Sequence, residues 1–366
     1  MTDKEFMRRC IELASLGAGT TSPNPMVGCV IVRDGEIVGE GYHRKFGAAH
    51  AEIVALMKAR NRAKNATMYV NIEPCAHFGK TPPCVDAIIR SGISRVVIAT
   101  KDPNPVVNGR GIRILKNAGI NVNVGILREE AQKLNEKFFK FMKTGFPFVA
   151  LKLAQTLDGK IADLKGNSKW ISSHDSRKIV HKLRSEYDAV MIGRNTALKD
   201  NPELTVRFIK GRNPVRIIID GQFSLPSSLK IFNTDSAPTW ILTSKSSMNK
   251  NESKLRRLTE CGVRVFGITT NSEFISPETI LRTLAGEGIS SILIEGGAKV
   301  AKSFLDYSLV DKLYLFTSPK ILGEGLNAIT LSKPRLLKNA ITFRIIDLHR
   351  LSEDVYLEAN ILRRNS

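Results

Sequence analysis

His50-Ala51-Glu52, with the apolar run Ile53-Val54-Ala55-Leu56-Met57 behind it, is followed by Glu73-Pro74-Cys75 and Thr81-Pro82-Pro83-Cys84. Together these stretches supply one imidazole, two thiols and a carboxylate outside the ligand set. Three protein ligands leave the fourth position of tetrahedral Zn²⁺ open, the arrangement of a catalytic rather than a closed structural site. Water at that position ionises at roughly pKa 7, and Glu52 is the group to carry its protons. Residues two apart do not share a face inside a helix, so His50 and Glu52 belong at a helix entrance, with Ile53 to Met57 forming the helix itself. Thr67-Met68-Tyr69-Val70, ahead of Pro74, reads as a strand. A lone His-x-Glu is a chance match and two cysteines can be buried hydrophobes, but the combination points to metal ligands His50, Cys75 and Cys84 and catalytic Glu52.

That order of groups is similar to the His-x-Glu…Pro-Cys-x-x-Cys signature of zinc-dependent nucleobase deaminases. It departs from the signature in its second gap, eight residues between the cysteines instead of two. The other cysteines read as reduced thiols: Cys10 on the apolar face of a helix, Cys29 inside a strand, Cys261 at a helix end before Gly262.

At 366 residues the chain exceeds one ordinary core, so two domains are expected, and 42% apolar residues suffice to fill both. An odd number of cysteines without a disulfide pattern fits a reducing compartment. The acidic N-terminus Met1-Thr2-Asp3-Lys4-Glu5 and the lack of any long apolar run point to an unprocessed, cytoplasmic protein with no membrane partner. The formal charge of +20 is spread evenly: residues 1 to 145 hold 22 Lys+Arg against 13 Asp+Glu, and the remainder 33 against 22. With no basic block of five and few aromatics, this reads as a solvated surface that steers anionic metabolites, not as a nucleic-acid site.

Along the first half, Phe6, Cys10, Leu13 and Leu16 repeat at helical spacing and stop at Gly17, before the loop Thr20-Thr21-Ser22-Pro23-Asn24-Pro25. Val27 to Val32 and Glu36 to Gly41 flank Asp34-Gly35 as a hairpin. Strands at Thr67 to Asn71, Arg95 to Thr100 and Asn121 to Gly125 alternate with helices near His50, Cys84 and Gly111. The expected fold class is α/β, a three-layer α/β/α domain over residues 1–145 with its zinc ligands at the N-terminal ends of two helices. A charged helical stretch, Leu127 to Lys143, leads to a boundary at Thr144-Gly145-Phe146-Pro147.

In residues 146–366 the alternation restarts, with several continuous apolar strands of a buried sheet, among them Ala189 to Gly193, Val215 to Asp220 and Ser291 to Glu295. Helices fit His174 to Ser185, Ser253 to Cys261, Pro277 to Gly286 and Gly297 to Asp306. Ile292-Leu293-Ile294-Glu295-Gly296-Gly297-Ala298 is a strand that ends in paired glycines and opens a helix, where free N–H groups can meet an anion. A tight strand-to-helix turn is the plainer reading. Gly323-Glu324-Gly325-Leu326-Asn327-Ala328 comes nearest to a dinucleotide fingerprint but runs into no clear helix, so a Rossmann domain is discounted.

Thr21-Ser22-Pro23-Asn24-Pro25-Met26-Val27-Gly28, the zinc motifs and Asp102-Pro103-Asn104-Pro105 resemble the deaminase half of the bifunctional riboflavin-biosynthesis deaminase/reductases. Leu151-Lys152-Leu153-Ala154-Gln155-Thr156-Leu157-Asp158-Gly159-Lys160-Ile161-Ala162, Asp200-Asn201-Pro202-Glu203-Leu204-Thr205 and Glu295-Gly296-Gly297 resemble the reductase half. The resemblance spans nearly the whole chain. It implies a cytidine-deaminase-like first domain, a second domain like dihydrofolate reductase in fold, and two successive steps on one phosphorylated pyrimidine. The first removes the 2-amino group of a diaminopyrimidine ribotide with Zn²⁺; the second reduces its ribosyl unit with NADPH.

The resemblance further implies roles residue by residue. Asn24, His77, Lys80, Asp102 and Asn104 grip the deaminase substrate. Lys152, Ser168, Arg184, Leu204, Arg207 and Glu295 contact the reductase substrate, and Ala154, Trp170, Thr196, Asp200 and Gly297 contact NADPH. Arg184 and Arg207 suit a phosphate as forked, permanently charged donors. Gly221 departs from the family's serine. The expected partners are small phosphorylated pyrimidines and further copies of the same chain. An RNA deaminase would carry closely spaced cysteines and a concentrated basic face, and a purely structural zinc module would leave Glu52 without a purpose.

Overall fold

The computed structural model describes residues 1–76, 82–105, 107–270 and 274–362, which form two compact units, Met1–Phe146 and Pro147–Ser366. In the first, helix α1 (Asp3–Ser15) precedes strands β1 (Gly28–Arg33) and β2 (Glu36–Tyr42), then α2 (Ala51–Ala59), β3 (Thr67–Ile72), α3 (Cys84–Arg90), β4 (Arg95–Thr100), α4 (Arg110–Asn117), β5 (Asn121–Val124), α5 (Arg128–Leu134) and α6 (Glu136–Thr144). The sheet order is β2-β1-β3-β4-β5, antiparallel among the first three strands and parallel from β3 onward.

Side chains alternate across a strand, and here the alternation builds both cores. Cys29 and Ile31, Met68 and Val70, Val96 and Ile98 face one way, packing with Ala51 and Ala55 of α2, Val85 and Ile88 of α3 and Leu115 of α4. Val30 and Val32, Tyr69, Val97 and Ala99 face the other way, onto Phe6, Cys10 and Leu13 of α1 and Ala131 of α5. The result is the three-layer α/β/α arrangement.

Two details differ from the sequence reading. Leu16 lies beyond the end of α1 and is exposed, since the helix stops at Ser15. The stretch Leu127 to Lys143 is two helices, broken at Asn135. That side chain accepts the Met26 N–H at 2.8 Å and donates to the Met26 carbonyl at 2.9 Å, so it serves the loop before β1 instead of a continuous helix.

The second unit contains β6 (Phe148–Thr156), β7 (Lys160–Ala162), α7 (His174–Glu186), β8 (Ala189–Gly193), α8 (Arg194–Asp200), β9 (Val215–Ile219), β10 (Thr239–Ser244), α9 (Lys245–Asn249), α10 (Glu252–Glu260), β11 (Arg264–Ile268), α11 (Pro277–Gly286), β12 (Ser291–Gly296), α12 (Ala298–Asp306), β13 (Lys312–Ser318), β14 (Leu326–Asn327), β15 (Thr342–Leu351) and β16 (Asp354–Leu362). Its nine-stranded sheet runs β11-β10-β9-β8-β12-β6-β13-β16-β15. The strands from β11 to β13 are parallel, and β16 and β15 add an antiparallel hairpin at one edge. One core gathers Val190, Ile192, Ile218 and Ile241 with Leu258 of α10. Another gathers Phe148, Ala150, Leu293 and Phe316 with Val180 and Leu183 of α7. The segment 323–328 holds β14 and no helix, as the discounting of a Rossmann fingerprint requires.

Two candidate active sites

In the first unit His50 is the N-cap of α2 and Cys84 opens α3, while Cys75 follows the end of β3. The sheet and two helix starts thus bring the three groups together, with their ligand atoms all within 4.8 Å of one another. His50 Nδ1 lies 3.2 Å from Cys84 Sγ and 3.5 Å from Cys75 Sγ. Tetrahedral Zn²⁺ with its usual bond lengths needs N and S ligand atoms about 3.5–3.8 Å apart, so the donor set and its spacing fit that ion. The Cys84 N–H donates to Cys75 Sγ at 3.3 Å. Hydrogen bonding from Cys84 and His50 holds the Cys75 thiol well down, whereas that same bond and burial hold Cys84 up.

Glu52, in the first turn of α2, is buried, and its Oε2 has no hydrogen-bond partner among the described residues. Burial, reinforced by the Cys75 sulfur, pushes its carboxyl above the usual range. A carboxyl whose protonated form is favoured in this way is suited to carry a proton between a water and a leaving group.

Asn24 Nδ2 sits 3.3 Å from His43 Nε2, and the His43 ring meets His50 edge-on at 5.3 Å. Asp102 is buried and pushed up to about 6 by burial, and its Oδ1 accepts the Asn104 N–H at 2.8 Å. His77 and Lys80 lie outside the described residues.

Supporting groups went unread in the sequence. Buried Glu73 accepts N–H bonds from Asp102, Gly109 and Ile112 at 3.3, 2.9 and 3.3 Å, tying the Cys75 strand end to the Asp102 loop. Asn71 accepts the Gly28 N–H at 2.8 Å and donates to the Met26 carbonyl at 3.0 Å, and with Asn135 it fixes the loop that carries Asn24. Glu73 abuts Pro74-Cys75 and was findable by position. His43, Asn71 and Asn135 carry no local signal.

The second unit holds a cavity of about 960 Å³ lined by all eleven reductase candidates: Lys152, Ala154, Ser168, Trp170, Arg184, Thr196, Asp200, Leu204, Arg207, Glu295 and Gly297. Arg184 grips Glu295 with two bonds, Nε to Oε1 at 2.5 Å and Nη2 to Oε2 at 2.8 Å, and gives Nη1 to the Thr205 carbonyl at 3.0 Å. Burial pushes the Lys152 ammonium down, with the Glu295 charge opposing. Burial likewise pushes Asp200 up, opposed by Lys169 and Lys199. Arg207 gives Nη1 to Glu203 and to Thr205 Oγ1, both at 2.7 Å.

At the end of β12, Gly297 has φ +43°, and a Cβ there would stand 2.9 Å from Thr196 Oγ1. The turn therefore presents bare backbone at the start of α12, a cradle that a side chain would fill and that suits a phosphate-bearing ligand. Gly221 uses its carbonyl to accept the Ser244 N–H at 3.2 Å.

Comparison with known proteins agrees with this division. Residues 1–100 match the cytidine and deoxycytidylate deaminase zinc-binding region, and residues 147–357 match the RibD C-terminal domain. The chain is 47% identical to the riboflavin biosynthesis protein RibD of Aquifex aeolicus, covering 97% of each chain, and 39% identical to that of Escherichia coli, covering 98% of this chain and 99% of the other. It superposes on a diaminohydroxyphosphoribosylaminopyrimidine deaminase/5-amino-6-(5-phosphoribosylamino)uracil reductase from Thermotoga maritima with TM-score 0.88 at 41% identity, covering 98% and 99%. With Acinetobacter baumannii RibD the TM-score is 0.90 at 37% identity, covering 99% of both chains. Among the described residues no helix is long and apolar enough to cross a membrane. A zinc-binding deaminase region followed by a reductase domain, in one chain aligned end to end with these relatives, places this protein in the RibD family of bifunctional riboflavin-biosynthesis deaminase/reductases.

Proposed function

We propose that the first unit hydrolyses the 2-amino group of 2,5-diamino-6-(5-phosphoribosylamino)pyrimidin-4(3H)-one. The second unit then reduces the ribosyl group of the resulting 5-amino-6-(5-phosphoribosylamino)uracil to ribityl with NADPH. The observation that carries this reading is the convergence of His50, Cys75 and Cys84 beside the buried, half-unpaired carboxylate of Glu52.

His50 Nδ1 and the two sulfurs hold the zinc ion, which when bound supplies the positive charge that brings a water toward ionisation at neutral pH. Glu52 takes a proton from the attacking water and delivers it to the amino nitrogen as the carbon–nitrogen bond breaks, releasing ammonia. Asn24, held by His43, contacts the substrate together with Asp102, Asn104, His77 and Lys80.

In the second unit NADPH supplies the hydride, and the protein binds and orients. Gly297, Thr196, Ala154, Asp200 and Trp170 hold the cofactor. Lys152, Ser168, Arg184, Leu204, Arg207 and Glu295 hold the ring-opened ribotide, with Arg207 at its phosphate. Five unpaired cysteines fit a reducing cytoplasm. Incubation of the whole protein with zinc, NADPH and the diaminopyrimidine ribotide tests the proposal. Stoichiometric ammonia followed by loss of NADPH absorbance is the expected course, and NADPH loss without ammonia would overturn it.

A further inference from the structure

Arg177, His181 and Arg184 fall at i, i+4 and i+7 on α7, one face of that helix, and all three line the cavity of the second unit. Their donors are committed to different degrees. Arg184 is neutralised by Glu295 and further bound to the Thr205 carbonyl. The Arg177 side chain has no hydrogen bond and no carboxylate partner among the described residues, its backbone N–H alone being bonded, to the Ser173 carbonyl at 3.3 Å. Its Nε is buried without an acceptor, and its guanidinium lies 4.2 Å from the ring centroid of Trp170. An aromatic face satisfies a cation from one side only, and a buried N–H without an acceptor is costly to keep.

His181 supplies the second observation. Its Nδ1 accepts the backbone N–H of Arg207 at 2.8 Å and of Phe208 at 3.4 Å, and its ring stacks on Phe208 at 4.3 Å. With Nδ1 accepting, the neutral ring carries its proton on Nε2, which is therefore a donor. The ring also clamps the turn that bears Arg207 against the same helix face. The cavity as a whole is lined by nine Lys and Arg against three carboxylates, so an anionic ligand is favoured.

We infer that Arg177 and the Nε2–H of His181 form, with Arg207, a subsite for the phosphate monoester of the reductase substrate. This inference rests on the reductase reading above and adds two residues to it. NADPH offers phosphate of the same chemistry. The substrate is assigned because His181 holds the Arg207 turn, whereas the bare backbone at Gly296 and Gly297 lies against Thr196.

The test measures NADPH oxidation on the aminouracil ribotide and on its dephosphorylated riboside, with NADPH affinity titrated separately. In Arg177→Met and in His181→Ala the preference for ribotide over riboside, taken as the kcat/KM ratio, should fall by roughly 10- to 100-fold, the loss of one charge-assisted contact. Arg177→Lys should retain part of the preference, and NADPH affinity should stay within about twofold in all three. Equal losses on ribotide and riboside would mean that Arg177 acts through Trp170 or the fold, and would overturn the inference. A weakened NADPH affinity with an unchanged ratio would move the contact to the cofactor and overturn it equally. If the unsubstituted protein oxidises no NADPH on the ribotide, the reductase reading itself fails.

Discussion

At the residue scale, the candidate zinc ligands that the fold brings together stand out in the sequence because the chemistry demands particular side chains: His50 two positions before Glu52, and Cys75 behind a proline. Cys84→Ala leaves two ligands, which hold zinc weakly and leave its geometry undefined. Zinc content should fall well below one per chain with deamination lost, while NADPH oxidation on the supplied aminouracil ribotide persists. Metal analysis finding one zinc per chain with full deamination would remove Cys84 from the site. His181 was not legible, because its role comes from backbone donors at Arg207 and Phe208. Burial first, then the charges of Arg184 and Arg207, push His181 down to about 4, with Arg177 acting the same way and Glu295 opposing. An unfolded histidine titrates near about 6.5. The folded state therefore binds fewer protons between those values, so the stability contributed by the neutral ring is full above about 6.5 and is lost as pH falls toward 4. Nitrogen chemical shifts should show a neutral ring protonated on Nε2 down to about pH 4. A midpoint at 6.5 or above would contradict the clamp.

At the scale of elements, most helices and strands follow from apolar periodicity, and the misses have physical causes. The hairpin of β15 and β16 escaped notice because β15 is exposed along most of its length, so burial imposes no alternation on its sequence. The break between α5 and α6 depends on Asn135 bonding to Met26 more than a hundred residues earlier in the chain. The placement of α2 depends on a glycine. A Cβ on Gly41 of β2 would stand 2.4 Å from the Ala51 carbonyl and 2.8 Å from the Ala55 N–H, so the helix backbone rests directly on the strand. Gly41→Ala should cost about 1–3 kcal/mol by overpacking and displace the helix start that carries His50 and Glu52. Lowered Tm together with weakened zinc binding is the expected result. Thermal melts and metal titrations that match the unsubstituted protein would show that α2 does not need this contact.

At the scale of the whole molecule, the division into two units was visible in the restart of the α/β alternation after Gly145-Phe146-Pro147. Each unit packs its own cores, and each candidate site is assembled from residues of one unit. What composition could not show was the cavity, since Lys152, Arg184, Arg207 and Glu295 meet only through the order of strands in the sheet. The central claim, two successive reactions at two sites, is tested most directly by Glu52→Gln. That substitution keeps size and polarity but cannot relay a proton, so deamination of the diaminopyrimidine ribotide should fall by roughly 10²- to 10⁴-fold. Zinc should stay bound, because Glu52 is not a ligand. Supplied with the aminouracil ribotide, the variant should oxidise NADPH at near the parental rate. Loss of that oxidation in a folded, zinc-loaded variant would contradict the account.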